Sequence, residues 1–319
     1  MKYYIGIDIG GTKIATLLAD ENMNILDRRT FLTKETKLPE DTIEKMFKMI
    51  EEQMSENEIT IENIKNFGIS CGGPLNSSKG VIMSPPNLPN WDNVEIKKIF
   101  EKKYNKLTYL QNDANACAIA EWKKGAGKGY KNIIFLTFGT GMGAGLILNG
   151  RLYAGIDDMA GEVGHIRLED KGPRGYGKAG SFEGFCSGGG ITRLGKYMIE
   201  KEIENGYKGE LIIDLSQGLT TQKIADRAKE GEYLSVKIIE KSAEKLGKGL
   251  SILIDLLNPE AIVIGSIFTR CEDLFRGTIE KVLKEETLEI SYKRCKILKA
   301  ELGESIGDYG ALFTATNDY

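Results

Sequence analysis

A strand that turns at glycines into a second strand occurs twice in this sequence. The first copy spans residues 3–19 and turns at Gly10-Gly11-Thr12, and the second spans residues 133–148 and turns at Gly139-Thr140-Gly141-Met142-Gly143. Glycines at such a junction let backbone N–H groups approach an anion closely. Two similar units would each contribute one glycine turn to a shared cleft. The repeat therefore predicts an α/β chain with two lobes.

The remaining pattern predicts further strands and helices separated by loops. A buried strand at residues 64–71 ends in Gly72-Gly73-Pro74, and three prolines exclude regular structure at residues 84–91, around Asn87. Residues 155–190 are glycine-rich and irregular, and loops of that length are usually functional. Other strands are predicted at residues 22–32, 259–265 and 296–300, and helices at residues 41–56 (capped by Asp41), 94–104, 191–207, 221–230, 234–257, 274–283 and 307–315.

Composition and charge narrow the class of protein. The 319 residues are 41% hydrophobic and 28% charged, as in soluble globular chains, and the net charge is −3. Lysine and arginine are interleaved with acidic residues, so the basic face of a nucleic-acid binder is not expected. The start of the sequence lacks a signal-peptide pattern. The apolar run at residues 133–148 is broken by four glycines, so it does not predict a transmembrane helix. The five cysteines form no C-x-x-C pair. We therefore expect a cytoplasmic protein with reduced thiols and no membrane segment.

The stretch LQNDANACAIAEW, residues 110–122, places a carboxylate where an extended run ends and a helix begins. Asp113 would there lie beside free backbone N–H groups and the positive end of the helix dipole. One interpretation is that Asp113 caps the helix, as Asp and Asn commonly do. The other is a catalytic carboxylate that the same N–H groups keep ionised. The two glycine turns shift the balance towards catalysis.

The run Asp8-Ile9-Gly10-Gly11-Thr12-Lys13 combines the groups that a nucleotide's phosphates and Mg²⁺ require. Backbone N–H groups and the Thr12 hydroxyl can donate to phosphate oxygens, and Asp8 can hold Mg²⁺ through water. The pattern is not a P-loop, in which a lysine followed by Ser or Thr opens a helix. An ordinary hairpin would look similar. The argument therefore depends on the second glycine turn, at the matching place of the other unit.

The run Ala160-Gly161-Glu162-Val163-Gly164-His165 contains the chain's only histidine. A lone histidine is more often structural than a ligand. Here it lies three residues from Glu162 in a glycine-rich segment, and Glu183 follows on the same segment. This group of polar side chains favours a binding site for a hydroxylated ligand.

Together and in this order, these motifs resemble the ROK family of bacterial repressors, open-reading-frame proteins and sugar kinases, over residues 5–315. Residues 8–13 look like the family's first phosphate motif and residues 136–145 like its second. Residues 111–116 are similar to its catalytic segment, and residues 161–165 to its sugar-binding GExGH motif. The resemblance implies a two-lobed actin-like ATPase (ribonuclease H-like) fold with the active site in the cleft.

The resemblance also implies roles for single residues. Asp113 would be the general base, and the sugar hydroxyls would be held by Asn112, Glu162, His165 and Glu183. Gly73 and Asn87 would border the sugar, and Gly265 would lie near the adenosine. ATP and Mg²⁺ would be bound by Asp8, Gly10, Gly11, Thr12, Lys13, Gly139, Thr140 and Gly141. The family usually has a run of glycines around Gly265, where this chain continues with Ser266 and Ile267.

The sequence departs from the family in the segment that follows His165. Where the family has three cysteines that bind a structural zinc together with the histidine, this chain has Arg174, Tyr176 and Ser181, and Cys186 is off register. One histidine and one displaced thiol cannot build a four-ligand zinc site. We therefore predict no zinc, and expect protein hydrogen bonds to orient His165 instead.

These observations predict an ATP-dependent sugar kinase that phosphorylates a hexose hydroxyl, the 6-OH, with glucose as the first choice because the GExGH motif resembles that of the family's glucokinases. N-acetylmannosamine or N-acetylglucosamine is the alternative, since the same side chains could serve a 2-acetamido sugar. A sugar-binding regulator without catalysis is less consistent with Asp8, Asp113 and both turns. A polyphosphate-using kinase would need a longer basic run.

The predicted lobes are residues 1–117, to which residues 304–319 return through the last helix, and residues 118–303. Repressors of the family carry a winged helix before the first strand. That strand begins here at residue 3, so no DNA-binding domain is expected. The expected partners are a sugar and ATP, and a homodimer is suggested by the family alone.

Overall fold

The computed structural model describes residues 1–319, which form two compact α/β units. Unit 1 comprises Met1–Lys131, Gly145–Ala160 and Glu301–Tyr319, and unit 2 comprises Asn132–Ala144 and Gly161–Ala300. The mixed α/β class predicted from the sequence is confirmed. The predicted boundary after residue 117 falls inside one continuous helix, and that helix lies wholly in unit 1 because it packs against the last helix of the chain.

The chain has fourteen strands and eleven α-helices. The strands are β1 (Tyr3–Ile9), β2 (Lys13–Asp20), β3 (Ile25–Leu32), β4 (Ile64–Cys71), β5 (Leu75–Asn76), β6 (Val81–Ile82), β7 (Thr108–Asn112), β8 (Ile133–Leu136), β9 (Ala144–Leu148), β10 (Arg151–Leu152), β11 (Arg174–Gly175), β12 (Lys178–Ala179), β13 (Ala261–Ile264) and β14 (Lys296–Lys299). The helices are α1 (Pro39–Glu56), α2 (Ile96–Tyr104), α3 (Asp113–Lys124), α4 (Phe182–Phe185), α5 (Gly188–Glu204), α6 (Leu211–Ser216), α7 (Thr221–Lys229), α8 (Tyr233–Leu257), α9 (Ile267–Glu286), α10 (Glu289–Tyr292) and α11 (Ile306–Thr314).

The sheet of unit 1 has the order β3-β2-β1-β4-β7. β1 and β2 form an antiparallel hairpin in which Ile9 pairs with Ile14, whereas β4 runs parallel to β1 and β7 parallel to β4. Ile9 pairs with Cys71, and Cys71 pairs with Asn112. The carboxyl ends of three parallel strands therefore lie side by side, and open α/β sheets bind their ligands at such an edge.

Helices cover both faces of this sheet, because successive side chains of a strand point to opposite faces. Ile5 and Ile7 of β1 belong to the buried cluster that includes α1 and α2, whereas Tyr4 belongs to the cluster that includes α11. Gly68 of β4 lies so close to α11 that a Cβ atom there would overlap backbone atoms of Ala311 and Ala315. This close packing sets the position of α11, whose first turn lies beside Asp8.

In unit 2, β13 pairs in parallel with both β8 and β14. The 25-residue helix α8 packs against α9, and it buries Leu246, Leu250 and Leu253 on its apolar face. Ile264 of β13 is paired with Leu136 of β8. The residues that follow these two strands, 265–266 and 137–143, are consequently neighbours.

Local hydrogen bonds move some predicted boundaries. β3 begins at Ile25 instead of residue 22, because the Asp20 carboxylate accepts hydrogen bonds from the N–H groups of Asn22 and Asn24 (both 2.9 Å) and closes a turn there. The predicted cap Asp41 is wrong: α1 begins at Pro39, a residue favoured at the first helical position, so Asp41 lies inside the first turn.

The irregular segment predicted at residues 155–190 contains short elements. They are a 3₁₀ turn at Val163–His165, the β11–β12 hairpin, α4 and the beginning of α5. The Ser187 hydroxyl accepts a hydrogen bond from Gly190 N–H (3.0 Å), and this cap lets α5 begin at Gly188. No helix of the structure combines the length and the apolar character needed to cross a bilayer.

Candidate active site

Asp8, at the carboxyl end of β1, lies in a group of acidic side chains. Its burial, together with the charges of Asp113 and Asp308, raises the pKa of Asp8 to about 6, although a hydrogen bond from Ser70 opposes the shift. Asp308 in turn forms an ion pair with Arg28 (2.7 Å). Sequence reasoning missed Ser70 and Asp308. They reach Asp8 only through the pairing of β1 with β4 and the packing of α11.

The first glycine turn connects β1 to β2, as predicted. Gly10 N–H donates to the carbonyl of Lys13 (3.1 Å) and closes the turn. A Cβ atom on Gly11 would lie 2.6 Å from Cβ of Asn87, so the loop that carries Asn87 rests directly on the turn. Thr12 and Lys13 are exposed. The turn therefore presents its backbone, one hydroxyl and one ammonium group to solvent, as a phosphate site requires.

The residue that caps α3 is Asn112, and the interpretation of Asp113 as the cap is wrong. The Asn112 Oδ1 atom accepts hydrogen bonds from the N–H groups of Ala114 (3.0 Å) and Asn115 (3.4 Å). Asp113 is the first helical residue, and its Oδ1 atom accepts a second bond from Ala114 N–H (2.8 Å). Capping and the predicted catalytic role thus belong to two adjacent residues.

Asp113 is open to solvent, but the protein around it removes much of the bulk water from its carboxylate. This desolvation raises the pKa of Asp113, and the hydrogen bond from Ala114 N–H opposes the rise without cancelling it. The expectation that helix-end donors would keep the group ionised therefore describes the smaller of two effects. A carboxylate with a raised pKa is a stronger base, and enzymes tune general bases in this direction.

Gln111 and two glycines frame this pair of residues. The Gln111 Oε1 atom accepts hydrogen bonds from Asn112 N–H (2.9 Å) and from Nδ2 of Asn115 (3.1 Å), which fixes the turn from strand to helix. A Cβ atom on Gly73 would lie 3.3 Å from Nδ2 of Asn112, and one on Gly72 would lie 3.7 Å from Oδ2 of Asp113. Residues 72–73 thus leave both functional side chains accessible.

The chemistry of unit 1 fits a hydrated Mg²⁺ ion. Burial is the main cause of the raised pKa of Asp8, and the charges of Asp113 and Asp308 add to it. A divalent cation would relieve the repulsion among these three acidic groups. No group of three or more His, Cys, Asp or Glu side chains is arranged to hold a metal ion directly. Mg²⁺ usually binds one or two carboxylates and keeps water and substrate phosphates as its other ligands. Asp8 would hold the ion in that manner.

The second glycine turn lies in unit 2, between β8 and β9. Thr137 N–H donates to the carbonyl of Gly143 (3.0 Å), and Gly143 N–H donates to Oγ1 of Thr137 (3.0 Å). Inside this ring, Gly139 N–H donates to the carbonyl of Gly141 (3.0 Å), and Thr140 is exposed at the tip. The turn is thus closed by hydrogen bonds among its own residues.

Glu183 contacts this second turn directly. Its Oε2 atom accepts a hydrogen bond from Met142 N–H (3.1 Å) and would lie 3.0 Å from a Cβ atom at Gly141. Gly164 packs against the Met142 carbonyl and against Cβ of Glu183. Sequence reasoning gave Glu183 a role toward the sugar alone, whereas the structure also makes it a support of the predicted phosphate turn.

Gly161 and Gly164 place Glu162 and His165 beside the same turn. Gly161 has a φ of 95°, and a Cβ atom there would overlap the carbonyl of Ala144, so only glycine fits. The His165 ring meets the Tyr176 ring edge to face at 5.2 Å between centroids, and the Lys178 ammonium donates to the His165 carbonyl (2.7 Å). The β11–β12 hairpin therefore contacts both the ring and the backbone of His165, while the orientation of the ring by hydrogen bonds stays a prediction.

Gly265, which the resemblance places near the adenosine, lies next to the second turn. Its N–H donates to the carbonyl of Leu136 (2.9 Å). Ser266 has a φ of 52°, a value that favours glycine, and its Oγ atom lies 3.3 Å from the position of a Cβ on Gly139. Ser266 thus adopts a strained backbone conformation, at a position where the resemblance implies glycine.

The side chains at the family's zinc-ligand positions have other roles here. Arg174 and Tyr176 belong to the β11–β12 hairpin, and Ser181 caps α4 by accepting a hydrogen bond from Gly184 N–H (3.1 Å). The Cys186 thiol is buried and donates to the Ser242 carbonyl (3.4 Å). The absence of zinc stays a prediction for metal analysis.

Known proteins resemble this chain over almost its whole length. The ROK family matches residues 4–317. A glucokinase from Streptomyces coelicolor is 31% identical over 313 residues, which are 96% of this chain and 95% of that enzyme. A xylose repressor from Caldicellulosiruptor bescii is 28% identical over 98% of this chain and 78% of the repressor. The structure of a ROK family glucokinase from Streptomyces griseus in complex with glucose and AMPPNP has a TM-score of 0.75 and 27% identity, over 98% of this chain and 99% of that one.

Proposed function

Because the chain belongs to the ROK family, which has sugar kinases among its members, we propose that it is an ATP-dependent sugar kinase. It would transfer the γ-phosphoryl group of ATP to the 6-OH of a hexose, with glucose as the first candidate. The observation that carries this proposal is the placement of Asp113, a carboxylate with a raised pKa, at the sheet edge that also bears Asp8 and the first glycine turn.

Asp113 would act as the general base. Its Oδ1 atom is held by Ala114 N–H, and its Oδ2 atom faces Gly72, where no side chain obstructs an approaching hydroxyl. As the sugar oxygen forms a bond to the γ-phosphorus and the bond to the β-phosphate oxygen breaks, the hydroxyl proton would pass to Asp113. The ADP oxygen would take the electron pair of the broken bond.

The glycine turns would bind the phosphates of ATP. Phosphoryl transfer depends mainly on positioning and on stabilising negative charge. The backbone N–H groups of residues 10–12 and 139–141, the Thr12 and Thr140 hydroxyls and the Lys13 ammonium supply donors for that purpose. Mg²⁺, when bound near Asp8, would neutralise part of the charge on the phosphates. Gly265 and Ser266, next to the second turn, would border the adenosine.

Asn112, Glu162, His165 and Glu183 would hold the sugar hydroxyls, with Gly73 and Asn87 at the border of the site. Glucose is favoured because two Streptomyces relatives of this chain are glucokinases, one of them solved with glucose. N-acetylmannosamine and N-acetylglucosamine are the alternatives, because the same donors and acceptors suit a 2-acetamido sugar. We also propose that the two compact units correspond to the two lobes of the family, and that the protein acts in the cytoplasm.

A second candidate function is a sugar-binding regulator without catalysis. The xylose repressor that matches 98% of this chain favours it. Asp8, Asp113 and both turns favour the kinase, because a regulator that only binds sugar needs neither a base nor a phosphate site.

A coupled ADP-release assay tests the choice. The purified protein is incubated with ATP and Mg²⁺ and with glucose, mannose, N-acetylmannosamine or N-acetylglucosamine, and sugar binding is measured in parallel by calorimetry. We expect turnover with at least one sugar. Sugar binding without ADP release would refute the kinase and support the regulator.

The variant Asp113→Asn assigns the base. Turnover should fall about 10²–10⁴-fold, the usual contribution of general base catalysis, with sugar binding largely kept because asparagine preserves the shape of the side chain. Asp41→Asn, the same change at an exposed first-turn position of α1, is the control and should have normal turnover. Near-normal turnover of Asp113→Asn would remove Asp113 from this role.

A further inference from the structure

A buried lysine lies outside the proposed site, in the middle of α8. Lys245 is 1% exposed, and its ammonium group forms ion pairs with Glu169 and, at 2.9 Å, with Glu244. Burial lowers the pKa of Lys245, but the hydrogen bonds to the two carboxylates raise it by more, so the group stays charged. A buried charge is costly unless it is paired. The pairing with Glu169 therefore constrains the segment on which Glu169 lies.

Glu169 lies at the base of the hairpin formed by β11 and β12. The N–H groups of Leu168 and Glu169 both donate to the carbonyl of Gly180 (2.9 and 3.1 Å), and Arg167 forms an antiparallel bridge with Ser181. The Lys245–Glu169 pair thus fastens this base to α8.

The same side of α8 holds the far end of the segment. Ser242, three residues before Lys245, donates through its hydroxyl to the Phe185 carbonyl (2.9 Å), and its own carbonyl accepts the Cys186 thiol (3.4 Å). Four residues after Lys245, Gly249 leaves space for the Phe182 ring. Residues three and four apart share one helix face. That face is therefore a platform on which residues 166–186 rest.

Two proposed sugar-binding residues, His165 and Glu183, are joined to the hairpin and to α4, which rest on this face of α8. His165 directly precedes the segment, and its carbonyl accepts the Lys178 ammonium of β12 (2.7 Å). Glu183 lies in α4, and Phe182 N–H donates to the Ile166 carbonyl (2.8 Å), which joins the two ends of the segment. A shift of the hairpin base would therefore displace His165 and Glu183 together.

We infer that Lys245 is a positioning residue, which through Glu169 fixes the segment of residues 166–183 and with it the sugar-binding groups His165 and Glu183. The inference rests on the proposed function for its effect on sugar binding. The contact between Lys245 and Glu169, called the clamp below, rests only on residues of unit 2.

Two single variants and their combination test the clamp. Lys245→Met keeps the length of the side chain and removes the charge, and Glu169→Gln removes the partner charge. For either variant we expect the KM of the sugar to rise about tenfold, the usual size of a coupling between contacting groups. The KM of MgATP should rise less, because Glu183 also accepts a hydrogen bond from the second glycine turn, and the kcat should change little. The double variant should be no worse than the worse single variant, because both changes break the same contact.

Hydrogen exchange gives a readout that does not need activity. In Lys245→Met the amides of residues 166–181 should exchange faster than in the unaltered protein. The amides of α8 itself should exchange at an unchanged rate. Lys248→Met is the matched control. Lys248 lies three residues further along α8, is partly exposed, and reaches Glu244 and Glu286 only at 3.9 Å, so its loss should change neither readout.

Two results would overturn the inference. One is unchanged exchange of residues 166–181 in Lys245→Met, and the other is a loss spread evenly over kcat, both KM values and the exchange of all of unit 2. If the unaltered protein bound and phosphorylated no sugar, the proposed function would fail. The exchange of residues 166–181 in Lys245→Met would then be the remaining test of the clamp.

Discussion

Replacement of Gly307 by alanine should separate the placement of Asp8 from the stability of the fold. Gly307 is the second residue of α11, and a Cβ atom there would lie 2.5 Å from Oδ2 of Asp8. Ordinary van der Waals contact begins near 3.5 Å, so the Asp8 carboxylate must move by roughly 0.5–1 Å. Asp8 cannot turn away freely, since Ser70 hydrogen-bonds to it and Asp113 and Asp308 lie close by.

A displacement of this size is large for a group that helps to hold MgATP. Misplacement by about 1 Å can cost about 10²-fold in rate. We expect Gly307→Ala to lower kcat/KM for MgATP by about 10–100-fold, and to leave sugar binding near normal because Asp113 and its helix are untouched. Alanine is a better helix former than glycine by about 1 kcal/mol, which offsets the cost of the contact, so the midpoint of thermal unfolding should change little.

The measurements are initial rates against MgATP at saturating sugar, sugar calorimetry and a thermal melt. Gly277→Ala is the control, because Gly277 lies within α9 and a Cβ atom there meets nothing within 4 Å. That variant should keep its activity and gain slightly in stability. A Gly307→Ala protein with kcat/KM for MgATP within twofold of the unaltered protein would refute the assignment of Asp8 to the phosphate site.

Two further predictions concern the sheet of unit 1. The kcat/KM for the sugar should fall as the pH drops through the raised pKa of Asp113, because the base must be ionised. A profile that stays flat from neutral pH down to the ordinary pKa of an aspartate would contradict this. Gly68→Ala should lower the free energy of unfolding of unit 1 by about 2 kcal/mol or more, because its Cβ would overlap backbone of α11. Denaturant titration measures this free energy of unfolding, with Gly277→Ala as the control. An unchanged midpoint in Gly68→Ala would argue against this close packing.

Much of the fold could be predicted because the signals are local. The strand–glycine–strand repeat, the apolar run of β4 and the spacing of α8 depend on the period of side chains along one element. Boundaries were less accurate, since a turn at Asp20 or a proline at position 39 can move the end of an element by several residues. The packing of α3 on α11 joins parts of the chain that are far apart in sequence, so no local pattern predicts it.

The candidate site was predictable to the extent that its residues lie in local motifs. Both glycine turns connect the strands between which the sequence predicted them, and Asn112 and Asp113 lie at the predicted junction of a strand and a helix. No local signal marks Asp308 or Ser70, which become neighbours of Asp8 only in the folded unit.

The sequence by itself determined which chemical groups are available and on which elements they lie: two glycine turns, the Asn112–Asp113 pair at a strand–helix junction and the Glu162–His165 motif. These follow from short-range rules of periodicity, capping and turn formation. Only the tertiary structure decided that Asn112 makes the cap while Asp113 keeps a raised pKa, that Glu183 supports the second turn, and that Lys245 clamps the segment after His165. Desolvation and the pairing of buried charges depend on which distant residues pack together, and a linear pattern does not contain that information.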